Sequence, residues 1–65
     1  MNEELTVLVA DDEPELLQAV CQLIDWQALG FRLVGRASNG LDALQLGEEL
    51  QPDFLLADIR MPFIS

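Results

Sequence analysis

Three apolar runs punctuate this chain, and the stretches between them follow a helical rather than an alternating period. Leu5-Thr6-Val7-Leu8-Val9-Ala10 is nearly continuous and partly β-branched, the pattern of a central strand buried on both faces of a parallel sheet. Pro14 suits a first helical position, and Leu16, Leu17, Val20, Leu23 and Ile24 recur at helical spacing, which predicts a helix over about 14–26. Gly30 breaks that pattern. Phe31, Leu33, Gly35 and Ala37 then alternate with Arg32, Val34 and Arg36, as in a shorter strand over 31–37 with one polar face, placed at a sheet edge. Asn39 with Asp42 three residues on resembles a capping box, opening a helix over about 39–50 with apolar positions at Ala43, Leu44, Leu46 and Leu50. Gly47 inside it costs about 1 kcal/mol relative to alanine. Gln51-Pro52-Asp53 reads as a turn, and the third apolar strand runs over 53–58.

The order β-α-β-α-β with short loops makes one α/β segment spanning 1–65, with no internal repeat, low-complexity stretch or linker. Right-handed crossovers are expected to put helices on both faces only if more strands follow. The chain stops at Met61-Pro62-Phe63-Ile64-Ser65 with apolar residues and no capped ending, as the middle of a domain does. The isolated segment is therefore expected to be partly folded at best, with apolar surface and an open strand edge that invite dimerisation. A domain of this size buries only about 60% of the surface its unfolded chain exposes.

Composition removes several function classes. Twelve acids stand against three arginines, a net charge of −9, so direct nucleic-acid binding by this segment is not expected. Apolar residues make up 51% of the chain in patterned runs, which argues against an acidic disordered tail. No stretch approaches a membrane span and the start Met1-Asn2-Glu3-Glu4 lacks a basic signal-peptide region, so a cytoplasmic location without membrane contact is expected. One cysteine and no histidine exclude a disulfide framework and a zinc pattern; Cys21, beside Val20, reads as a buried thiol. Trp26 reads as a packing residue closing the first helix, and Arg32 and Arg36 as solvated groups on an edge strand.

The chemistry is concentrated where apolar runs stop. Asp11-Asp12-Glu13 follows the first run and Asp58 follows Phe54-Leu55-Leu56-Ala57. In an open α/β sheet, ligands bind in the crevice beyond the carboxyl ends of the strands, so acids closing two parallel neighbours would converge there. Clustered carboxylates repel one another and ask for a cation, which suggests a metal-assisted phosphoryl site. Glu13 reads instead as a helix-start acid favoured by the macrodipole.

With Asp11-Asp12-Glu13-Pro14, Ala37-Ser38-Asn39-Gly40 and Asp58-Ile59-Arg60-Met61-Pro62 in this order and spacing, the chain resembles the receiver domain of two-component response regulators. The resemblance implies a flavodoxin-like doubly wound sheet, strand order 2-1-3-4-5, truncated here after the third strand. It implies Asp58 as phosphoacceptor, with Mg²⁺ held by Asp11, Asp12, Asp58 and the backbone carbonyl of Arg60. Pro62 matches the loop proline. The resemblance further implies a phosphohistidine on a sensor histidine kinase as donor, and a signalling domain rather than an enzyme, although intact family members assist their own phosphorylation and dephosphorylation. The family's Ser or Thr ending the fourth strand and Lys ending the fifth have no counterpart in the chain. The segment from Ile24-Asp25-Trp26 to Leu29-Gly30-Phe31 is similar to receivers joined to AraC-type DNA-binding output domains, so DNA contact would belong to a part of the protein outside this sequence.

Other readings are a receiver-like docking module that works without phosphorylation, and a Mg²⁺-dependent phosphotransferase or phosphatase using a first-strand aspartate. The latter usually shows Asp-x-Asp, where this chain has Asp11-Asp12-Glu13. A dinucleotide-binding half-domain would need a Gly-rich turn where these acids stand.

Overall fold

The computed structural model describes residues 4–57, which form β1 (Leu5–Ala10), α1 (Pro14–Leu23), β2 (Phe31–Ala37), α2 (Gly40–Leu50) and β3 (Phe54–Ala57). The three strands make one parallel sheet in the order β2-β1-β3. Because β1 is hydrogen-bonded along both edges and covered on both faces, its apolar run is used in full: Leu8 is 0% exposed, and Val7, Val9 and Ala10 are buried beside it.

Side chains alternate along β1, so the sheet separates two cores. On one face Val7 and Val9 pack with Leu17 of α1, joined by Val20, Cys21, Trp26, Phe31 and Leu33. On the other, Ala10 and Ala37 pack with Ala43 of α2, joined by Leu46 and Ala57. Helices thus cover both faces with only three strands described, contrary to the expectation that more strands would be required. The reason is the strand order: β1 to β2 steps one way and β2 to β3 steps back across β1, so crossovers of one hand pass over opposite faces.

β2 is an edge strand as expected, but it is seven residues long to β1's six and has no single polar face. Its register with β1 shifts between Val7 and Leu8: Val7 pairs with Leu33 but Leu8 pairs with Gly35. Val34 is the extra residue of a bulge, and it reverses the parity of everything after it. Phe31 and Leu33 therefore serve the α1 core while Ala37 serves the α2 core. The two arginines separate likewise, Arg32 pairing with Thr6 and Arg36 with Val9, on opposite faces. Gly35 then lies under Leu50 and Leu8, whose Cδ1 atoms would stand 2.9 and 3.2 Å from a Cβ at that position.

α1 ends at Leu23, three residues before the expected boundary. Ile24 is extended, Asp25 Oδ1 accepts the Ala28 N–H at 3.2 Å, and the Trp26 indole N–H donates to the Cys21 carbonyl at 3.3 Å. A side chain thus satisfies one of the helix's last carbonyls and the chain turns instead of continuing. The Trp26 carbonyl accepts from Leu29 and Phe31, and Gly30, at φ 84, passes the chain into β2. Trp26 packs in the α1 core with its ring edge-on to Phe31, and half-buried Cys21 packs there too, as expected for both.

α2 begins at Gly40 with Asn39 as its N-cap: Asn39 Oδ1 accepts the Asp42 N–H at 2.8 Å and Asn39 Nδ2 donates to Asp42 Oδ2 at 3.1 Å. The helix closes at Gln51, left-handed at φ 45, whose N–H returns to the Gly47 carbonyl. The turn that follows holds β3 against β1. Asp53 Oδ2 accepts from the Thr6 N–H at 2.7 Å and from Thr6 Oγ1 at 3.0 Å, while the Asp53 N–H donates back to Thr6 Oγ1 at 2.9 Å. Asp53 lies in the turn its sequence predicts, one residue before β3, which begins at Phe54 and not at the 53 of the approximate range. β3 is the other edge of the described sheet, and Phe54, Leu55 and Leu56 each keep about half their surface exposed (51%, 49% and 50%).

Two glycine substitutions are expected to act in opposite directions in urea unfolding. Gly47→Ala, where a Cβ meets nothing within 4 Å, should raise stability by about 0.5–1 kcal/mol. Gly35→Val should lower it by about 1–3 kcal/mol, because Leu8 is fully buried and has little room to give.

The two hydrogen bonds from Thr6 hold the Asp53 carboxyl below its ordinary value of 3.8. Its contribution is then complete above that value and is lost as pH falls through the lower folded value. The stability advantage of the parent over Asp53→Ala should be constant between about pH 5 and 7 and shrink below 3.8, as read from urea midpoints.

Candidate functional site

The reversal of strand order around β1 puts the crevice of this sheet at the carboxyl ends of β1 and β3. There the chain leaves β1 through an acidic turn whose first residue is held in place. The Asp11 N–H donates to the Ala37 carbonyl at 3.0 Å, extending the β1–β2 ladder by one step. Asp11 Oδ1 accepts the Glu13 N–H at 2.9 Å, closing an Asx turn, and the residue is only 8% exposed. Asp12 and Glu13 are exposed. Glu13 occupies the N-cap of α1, with its carbonyl accepting from Leu17, and Pro14 follows at the first helical position, as expected.

One carboxylate oxygen from each of Asp11, Asp12 and Glu13 lies within 4.8 Å of the others. Glu13, read from sequence only as a helix-start acid, thus has both a helix-start position and a place in the cluster. An Asp11 carboxylate has about four acceptor positions, and the Glu13 N–H takes one of them. The wall next to the acids is apolar: Val9 and Ala10 of β1, Leu16 and Val20 of α1, and Leu56 and Ala57 of β3 line an open cleft with Asp11 at its polar end.

β3 ends level with β1, since Ala57 pairs with Ala10. The expected phosphoacceptor Asp58, the expected carbonyl ligand Arg60 and the loop residue Pro62 lie outside the described residues. Arg36, exposed, borders a hollow with Pro14, Leu17 and Gln18 at the start of α1. The clasp between Asp53 and Thr6 had no signal in the sequence beyond a turn-forming aspartate, because its partner is a strand residue 47 positions away. Among the described residues, no helix is long and apolar enough to cross a membrane.

Comparison with known proteins agrees with this arrangement. The family described as the response regulator receiver domain matches residues 7–65. Among curated proteins, the chain is 45% identical over 61 residues to the nitrate/nitrite response regulator protein NarL of Escherichia coli K12, covering 94% of this chain and 28% of that protein. It is 38% identical over 56 residues to the uncharacterized transcriptional regulatory protein YesN of Bacillus subtilis, covering 86% of this chain and 15% of that one. Among solved structures, the REC domain of AraT, a response regulator from Geobacillus stearothermophilus, superposes with a TM-score of 0.86 at 32% identity, over 97% of this chain and 49% of that chain. The signal receiver domain of the putative response regulator NarL from Mycobacterium tuberculosis gives 0.79 at 35% identity, over 92% and 48%. The chain therefore spans about half the length of these solved receivers and less than a third of these curated relatives. With a flavodoxin-like β2-β1-β3 sheet, an acidic turn at its switch point and a family match over most of its length, the chain belongs to the receiver domain family of two-component response regulators.

Proposed function

We propose that this chain is the N-terminal part, residues 1–65, of a phosphoacceptor receiver in which Asp58 takes a phosphoryl group from a phosphohistidine of a sensor histidine kinase. The observation that carries the reading is the anchored acidic turn, with Asp11 tied to Ala37 and Glu13 at the crevice end of β1, level with the end of β3. The donor set fits Mg²⁺: it is all oxygen, and Mg²⁺ needs only one or two carboxylates beside water and phosphate oxygens. Asp11 and Asp12 would hold the ion with Asp58 and the Arg60 carbonyl. When bound, it offsets the negative charge that otherwise keeps carboxylate and phosphoryl group apart.

The chain's own residues supply position. The two bonds to Asp11 fix its carboxylate at the crevice, and exposed Asp12 leaves room for water on the outer side. An Asp58 carboxylate oxygen attacks phosphorus in line, the bond from phosphorus to the imidazole nitrogen breaks with its electron pair leaving on the ring, and an acyl phosphate forms. The domain acts as a phosphorylated signalling element, with self-assisted phosphorylation and dephosphorylation in place of turnover of an external substrate. The change in charge would bias a two-state surface read by an output domain. A transcriptional regulator with an AraC-type DNA-binding output is the setting that the Ile24 to Phe31 segment supports.

The test uses the full-length protein and a labelled small phosphodonor with varied Mg²⁺. Parent protein should be labelled in a Mg²⁺-dependent way, and Asp58→Asn should fall to background; persistent labelling would remove Asp58 from the acceptor role. Asp12→Asn should raise the Mg²⁺ concentration for half-maximal labelling by about tenfold or more. A parent that is never labelled, yet signals equally well as Asp58→Asn, would point to the docking module.

A further inference from the structure

The turn from β2 into α2 contains the single Asn–Gly pair of this chain, the sequence at which a side-chain amide is attacked most readily by the following backbone nitrogen. Asn39 is followed by Gly40, and asparagine is among the chemically least durable residues, most of all before a residue with no Cβ to obstruct its backbone nitrogen. Asn39 is exposed, whereas Gly40 is buried and, as the first helical residue, has a backbone N–H without an intrahelical acceptor, so hydroxide reaches that nitrogen only when the turn opens. We propose that Asn39–Gly40 is a self-modification site, converted through a cyclic imide to aspartate or isoaspartate at a rate set by the α2 cap.

In the step itself, the Gly40 nitrogen loses its proton to hydroxide and attacks Asn39 Cγ. The new C–N bond closes a five-membered imide, and the bond to Nδ2 breaks with release of ammonia. Water then opens the ring. Cleavage of the new bond gives aspartate, while cleavage of the original peptide bond gives isoaspartate, with the main chain rerouted through Cβ.

The cap opposes ring closure at three points. Asn39 Oδ1 is held by the Asp42 N–H and Nδ2 by Asp42 Oδ2, so both ends of the side-chain amide are engaged. The Asn39 backbone is extended, at φ −157 and ψ 170, and must rotate before Cγ reaches the Gly40 nitrogen. Closure therefore waits for the first turn of α2 to open, a local event much cheaper than global unfolding.

The products differ in consequence. Aspartate still caps a helix, but it replaces the Nδ2 donor with an acceptor facing Asp42 Oδ2. Isoaspartate adds a methylene to the main chain two residues after Ala37, whose carbonyl holds the Asp11 N–H. Modification at Asn39 thus reaches the acidic turn through one intervening peptide segment.

The experiment incubates the full-length protein and its Asp42→Ala variant at mildly alkaline pH, native and in urea. Peptide mass mapping follows the amide-to-acid exchange and isoaspartate at Asn39. Conversion should be localised to Asn39, fastest in urea, and about two- to fivefold faster in native Asp42→Ala than in the native parent, the factor expected for losing one capping interaction. Equal rates in native and denatured parent would overturn the gating by the cap. An Asn39 that stays unconverted in both native proteins, while urea converts it, would overturn the site.

Discussion

Everything in this structure depends on β1 being enclosed on all sides. A strand with apolar side chains on both faces can exist only between two layers, and a strand with both edges hydrogen-bonded must have neighbours left and right. Satisfying both demands with one continuous chain forces the path to reverse over β1. That reversal opens the crevice, where the enclosed run passes through buried Asp11 and first meets water at Asp12 and Glu13.

The two layers meet β1 differently. The α1 side is filled by Val7, Val9, Leu17, Phe31 and Leu33, while the α2 side is floored by Ala10, Ala37 and Ala57, small enough for Ala43 of α2 to come close. The sheet is also fastened differently at its two ends. At the amino ends, Asp53 and Thr6 hold β3 to β1 with three hydrogen bonds, whereas at the carboxyl ends the nearest carboxylates remain grouped beside an apolar cleft. One end is closed by paired polar groups, and the other gathers three carboxylates beside an apolar wall.

What the sequence made legible follows the same physics. The unbroken apolar run of β1, Pro14 at the head of α1 and the Asn39–Asp42 cap each have a local cause that a linear reading can see. The Val34 bulge has none: Val34 is an ordinary strand residue, and only its mismatch with β1 shows that the strand changes parity there. The early end of α1 depends on an indole reaching back to Cys21, and the Asp53 clasp on a threonine far away in sequence. Of the site, the acidic turn at Asp11 was legible as strand-ending carboxylates, but its anchoring to Ala37 required knowing which strand lies beside β1.

Trp26 has a consequence for observing this chain. It is the sole tryptophan, its indole N–H is bound to a carbonyl at the end of α1, and its ring meets Phe31 edge-on with centroids 6.4 Å apart at 88°. Phe31 in turn meets Phe54 at 5.6 Å, so the indole stands at the head of an aromatic row running from the α1–β2 turn across the sheet to β3. Its emission is a built-in optical gauge of whether that crossover is closed, readable without any attached dye.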